Sequence, residues 1–183
     1  MTDRALAETR AWVELAVIGL NLCPFARAPQ TKGQLRYALS EAGDPEALLQ
    51  DLVAELKLLA ATPAEETETT LLVHPHVLGD FADYNDFLDV AEAAVAELGL
   101  EGMIQVASFH PRYRFAGSDE DDVTNATNRS PWPSLHLLRE ESVERAVAAF
   151  PQAEAIYEAN IDTLRRLGAS GWDDLQRRIR AEA

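Results

Sequence analysis

Asp44-Pro45 and Asp80 each stand at the head of an amphipathic run, and each run leads into a short apolar segment. Aspartate is a strong helix N-cap, and proline fits the first helical position after it. The first run presents Leu48, Leu49, Leu52, Val53, Leu56 and Leu59 at helical spacing and closes at Thr62-Pro63. The second uses Phe81, Tyr84, Phe87, Leu88, Val90, Ala91, Ala94, Val95 and Leu98, and ends at Gly99. Around them lie QLRYALS (34–40), TTLLVHP (69–75) and MIQVASF (103–109), whose β-branched and apolar content predicts strands. Strand, helix, strand, helix, strand favours crossover connections and parallel pairing. The expected fold class is α/β: a helix-rich single domain over residues 1–183, with a small, mainly parallel sheet of about three to four strands flanked by helices.

The flanks are read from the same rules. Residues 4–20 carry Leu6, Trp12, Val13, Leu15, Ala16, Val17 and Leu20 at mixed helical spacings, which predicts a well-buried first helix, and Pro24 ends or bends that run. NLCPFARAPQTKG (21–33) reads as a loop. After Ser130, an N-cap candidate, Pro133, Leu135, Leu138, Ser142, Ala146 and Phe150 suit a helix, with a strand at LHLLR (135–139) as the competing reading. A helix is expected over 152–168, and GWDDLQRRIRAEA forms a last, exposed one.

Composition narrows the function classes. Lys and Arg number 16 against 31 Asp and Glu, a formal charge of −15. Such a surface repels a phosphate backbone, so no nucleic acid is expected as partner, while a small anion in a local basic pocket remains compatible. The one cysteine, Cys23, allows no disulfide within the chain. AWVELAVIGLNL is too short for a membrane span of about 20 residues and holds Glu14. A cytoplasmic protein without a membrane partner is expected.

The polar residues with chemistry gather in SFHPRYRFAGSDEDDVTNATNRSPWPSLHLLRE (108–140). The connection from Arg112 to Trp132 exceeds the roughly 12–15 residues of ordinary loops, and such loops are functional or disordered. Phe109, Tyr113, Phe115 and Trp132 supply anchors that a disordered tail lacks. Two readings stand for its cations. Arg112, Arg114, Arg129 and Arg139 converge on an anion, or they pair with Asp119, Glu120, Asp121 and Asp122. His74 and His110 each precede a proline at a strand end, the rim where open α/β sheets bind ligands. Imidazole titrates near neutral pH, which makes them the catalytic candidates, with Cys23 as an outside nucleophile or a small buried hydrophobe. No HExxH or CxxC spacing marks a metal site. Arg36, with Arg27 and Lys32, is a second basic patch.

NLCPFA (21–26), KGQLRY (32–37), LLVHPHVLGDFADYNDFLD (71–89) and, above all, QVASFHPRYRFAG with DDVTNATNRSPWPSLHLLREESVERA (105–146) resemble the family called domain of unknown function 1415. The resemblance spans nearly the whole chain and implies no activity.

The expected function is that of an enzyme acting on a small anionic metabolite, a carboxylate or a phosphate, through an Arg/His/Asn pocket. His110 and His74 are its acid–base candidates. Arg36, Arg114, Asn125, Asn128, Arg129, Ser130, His136 and Arg139 are its substrate-binding candidates. The alternatives are a non-catalytic metal- or ligand-binding protein, and an interaction module whose acidic surface meets a basic partner. The residues name neither a cofactor nor an oligomeric state.

Overall fold

The computed structural model describes residues 2–149 and 155–183. Helix α1 (Thr2–Trp12) runs without interruption into a π-helical stretch, Val13–Ile18. Gly19 follows it, at a position where an added Cβ would collide with the Leu15 carbonyl oxygen. A short helix, α2 (Arg27–Thr31), lies inside the segment expected as loop. Strand β1 (Leu35–Leu39), helix α3 (Pro45–Ala61), strand β2 (Thr69–Val73), helix α4 (Phe81–Glu97) and strand β3 (Ile104–Phe109) follow. Both aspartate caps are made: Asp44 accepts from the Ala47 amide and Asp80 from the Ala82 amide, each at 2.8 Å.

Beyond β3 the structure departs from the sequence reading. A 3-10 turn, Val123–Asn128, leads to strand β4 (Ser134–Arg139), and helix α5 (Glu140–Ala149) begins only there. The competing strand reading for 135–139 is therefore the correct one, and the helix from Ser130 is not formed. The reason is burial on both faces: Leu135 and Leu137 enter one core while His136 faces the other. Of the helix expected over 152–168, residues 152–154 lie outside the described residues, as does Phe150. Helix α6 (Ala155–Glu182) holds the rest and kinks at Gly168, whose φ of 69° and ψ of 171° leave the helical region. The arm beyond the kink is not the exposed helix expected: Trp172, Leu175 and Ile179 are buried.

The sheet order is β1-β2-β4-β3. Only β1 and β2 pair in parallel, through the α3 crossover; β4 is antiparallel to both β2 and β3. The mainly parallel sheet is thus corrected to a mixed, mostly antiparallel one. Residues 110–133 contain one 3-10 turn and no helix that returns the chain to the far edge. Strand β4 therefore starts at the rim where β3 ended, with Ser134 opposite Phe109 and Val73. A parallel partner needs a crossover of a dozen or more residues, usually helical.

Two cores sandwich the sheet. On one face α3 and α4 pack Leu48, Leu52, Leu56, Tyr84 and Phe87 against Leu72, Leu135 and Leu137. On the other, α1 and α6 pack Trp12, Leu164, Trp172 and Ile179 against Tyr37 and Leu71. Each fully buried large side chain contributes on the order of 1.5–3 kcal/mol. Among the described residues no helix is long and apolar enough to cross a membrane.

Candidate functional site

His74 and His110 follow β2 and β3 at the same sheet rim. Those strands are parallel to each other but not adjacent, because β4 lies between them. The two imidazoles flank Tyr84 of α4, at centroid distances of 5.8 and 5.0 Å. The Tyr84 hydroxyl donates to the Ser134 carbonyl at 2.8 Å and accepts from the Phe109 amide at 3.0 Å, which joins α4 to the ends of β3 and β4. His110 Nδ1 accepts from the Arg112 amide at 3.0 Å, so Nε2 carries the proton and donates to the Leu78 carbonyl at 3.1 Å. His74 Nδ1 donates to the Val77 carbonyl at 3.1 Å. Both rings thus secure the turn after β2, where Leu78 sits at a φ of 56°. Burial holds both in the neutral form, His74 pushed down to about 4 and His110 also lowered. His74 Nε2 is buried without a partner among the described residues.

The Arg112–Trp132 loop is built mainly to satisfy itself. Asn125, fully buried, accepts on Oδ1 from the Phe115 amide and the Ser118 hydroxyl and donates from Nδ2 to the Asp119 carbonyl. Asn128 Nδ2 donates to the Ser108 carbonyl, and its own carbonyl accepts from the His110 amide. Arg129 donates from Nε to the Tyr113 carbonyl and from Nη2 to the Glu120 carbonyl, at 3.1 and 2.7 Å. Ser130 donates to the Trp132 carbonyl at 2.6 Å. These residues fix the loop, and the acidic run contributes through its backbone as well as its charge.

Other candidates stand apart from this loop. Arg36 forms a two-armed pair with Glu55 at 2.8 and 2.9 Å on the outer side of β1. Arg139 donates to the carbonyls of Leu59, Thr62 and Thr67, closing the end of α3. His136 donates from Nε2 to the Thr69 hydroxyl, which itself donates to the Leu137 carbonyl; burial pushes this imidazole down to about 4. Burial pushes the Cys23 thiol up, away from a ready nucleophile. Arg114 is exposed and has no partner among the described residues.

A small crevice lies on the α1/α6 side. Trp12, Arg129, Ser130, Pro131, Trp172, Gln176, Ile179 and Arg180 line a crevice between α1, the loop and the distal arm of α6. It has room for roughly one or two water-sized groups. The indole N–H groups of Trp12 and Trp172 are buried and lack an acceptor among the described residues. Burial lowers the Arg129 guanidinium, against the opposing charges of Glu120, Asp121 and Asp122. Arg180 is exposed and makes no ion pair among the described residues. Of the residues expected to bind substrate, the crevice unites only Arg129 and Ser130. Trp12 and Trp172 escaped the sequence reading because they also serve as core residues, and Arg180 because its helix was expected to be exposed. Glu8 escaped it too, although an acid between Ala5 and Trp12 on an apolar helix face was a signal. It is buried and accepts from the Trp132 indole. No group of histidine, cysteine and acidic side chains suited to a metal ion occurs among the described residues.

An α/β protein with a mixed sheet, a neutral histidine pair on its rim and a donor-lined crevice behind it is the class these features define. Residues 4–174 match the family described as a protein of unknown function, DUF1415, and the chain belongs to it. No curated protein and no solved structure matches the chain.

Proposed function

We propose that this protein binds a small anionic metabolite, through a carboxylate or a phosphate group, in the crevice between Trp12, Ser130 and the distal arm of α6. The carrying observation is one crevice lined by two arginines, Arg129 and Arg180, together with Trp12 and Trp172, whose buried indole N–H groups lack acceptors among the described residues. Buried donors left unpaired cost roughly 1–3 kcal/mol each, a penalty that a bound oxygen acceptor relieves. Guanidinium groups prefer oxyanions to neutral acceptors. An enzyme acting on such a metabolite would bind it here. His74 and His110 face Tyr84 on the other side of the sheet and serve the rim turn in this reading.

Calorimetric titration with inorganic phosphate, acetate and succinate at matched ionic strength tests the proposal. Saturable binding is expected for at least one of the three. The double substitution Trp12→Phe, Trp172→Phe should weaken it about tenfold, the order expected for two neutral donors. If none of the three anions binds saturably, the reading is wrong.

A further inference from the structure

The turn between β2 and α4 is held by side chains on three successive carbonyls. Val77 accepts from His74 Nδ1, Leu78 from His110 Nε2 and Gly79 from Arg112 Nη2, each at 3.1 Å. Leu78 keeps a φ of 56°, a left-handed conformation that persists in a residue other than glycine only where its neighbours enforce it. His110 also works as an acceptor: its Nδ1 takes the Arg112 amide at 3.0 Å. A proton added to this ring must go to Nδ1, which turns the acceptor into a donor. Two N–H groups then face each other, and the new charge lies beside the Arg112 guanidinium. A proton added to His74 goes to Nε2, which has no partner among the described residues. Both rings are fully buried, so neither cation reaches water in place. The other charged or titratable groups around the pair are Asp80 and Tyr84 of α4 and Tyr113 of the loop, with an exposed His76 on the turn itself. Of these Asp80 favours the cation, but it is exposed and already paired with Arg112.

We infer that His110, with His74 behind it, is an acid-released latch on the β2–α4 turn: the protonated ring leaves its place, frees the Leu78 carbonyl and lets go of the Arg112 end of the long loop, while the two cores stay packed. Burial holds both imidazoles below their ordinary 6.5, so the opened turn binds protons first. The hold is complete above about pH 6.5 and is lost as pH falls below it. The latch does not rest on the anion-binding reading.

Amide hydrogen exchange of the full chain reads it, each rate being divided by its intrinsic value at that pH. From about pH 7 to about pH 5 the Arg112 amide is expected to lose about tenfold in protection. At the lower pH its exchange should not respond to sub-denaturing urea, the mark of a local opening, whereas the Leu72 amide inside the sheet follows global unfolding. His110→Gln offers a donor and an acceptor but cannot titrate, and should remove most of the loss at Arg112. The ring-nitrogen signals of His110 in the unaltered chain decide if that variant does not fold: proton uptake and loss of Arg112 protection should share one midpoint. The latch is overturned if Arg112 exchanges only together with Leu72 at both pH values, if His110→Gln keeps the pH dependence in full, or if protection is lost while His110 stays neutral.

Discussion

The indole of Trp132 donates to Glu8 Oε2 at 2.7 Å, joining positions 124 residues apart. Glu8 is 3% exposed, and its other oxygen accepts from Arg4 Nε at 2.8 Å. This bond fastens the end of the long loop to α1, one helical turn from Trp12 in the crevice. Trp132→Phe keeps the ring and removes the donor, leaving a buried carboxylate oxygen unpaired. It should cost about 1–3 kcal/mol, read as a lower urea midpoint at unchanged slope. An unchanged midpoint would mean that the loop is held by its internal bonds alone.

Acid should destabilise the fold through its neutral histidines. His74 and His136 are pushed down to about 4 and His110 is lowered, all chiefly by burial. The unfolded chain, with imidazoles near their ordinary 6.5, binds protons first as pH falls. Stability is therefore fully present above about pH 6.5 and drains away between there and about pH 4. For fully buried His74 the total is on the order of 3 kcal/mol. His136→Gln keeps a donor toward Thr69 and cannot titrate, so it should flatten the slope of stability against pH by up to one proton. Urea melts from about pH 7.5 to about pH 4 check this; an unchanged slope would show that His136 does not titrate with unfolding.

What the sequence disclosed and what it hid follow from the range of the signals. Helices α3 and α4 were legible to their first residue, because Asp44 and Asp80 cap amides two or three residues away. Strand β4 was ambiguous because Leu135, Leu137 and His136 report on two cores that only the closed sheet creates. The antiparallel insertion depends on which rim the loop returns to, a non-local fact. The site residues show the same division. Asn125, Arg129 and Arg139 stood out for their chemistry, but their partners are backbone carbonyls and amides, which carry no side-chain signature. The crevice comes from residues as far apart as Trp12 and Arg180, so no local pattern marked it.

Arg139 and Arg36 make a direct contrast. Arg139 donates to carbonyls at and beyond the end of α3, at Leu59, Thr62 and Thr67. Arg139→Ala removes a charged donor from those carbonyls, of which Leu59 keeps the Thr62 amide, and should cost on the order of 2–3 kcal/mol, with Arg139→Lys recovering part of it because a single ammonium cannot reproduce the fork. The Arg36–Glu55 pair is two-armed and made to a carboxylate, yet its arginine side chain is 41% exposed. Arg36→Ala should cost at most about 1 kcal/mol and leave anion binding unchanged. Denaturation midpoints of the variants, with one acetate titration of Arg36→Ala, decide the ranking. A loss at Arg36 equal to that at Arg139 would contradict it.

Cys23 tests how far burial governs reactivity in this fold. Its thiol is raised chiefly by burial, with backbone donors at Phe25 and Ala26 offsetting only part of the effect. Since the thiolate is the nucleophile, a raised thiol and limited access both slow attack. Alkylation by iodoacetamide near neutral pH should run at least about tenfold slower than for free cysteine, and should recover the free rate in urea. The expected native rate climbs with pH only above the ordinary thiol range, because the thiolate forms there. A native rate faster than that of free cysteine would reverse the assignment: it would require a cation to approach the sulfur in solution, and Cys23 would return as a candidate for covalent chemistry.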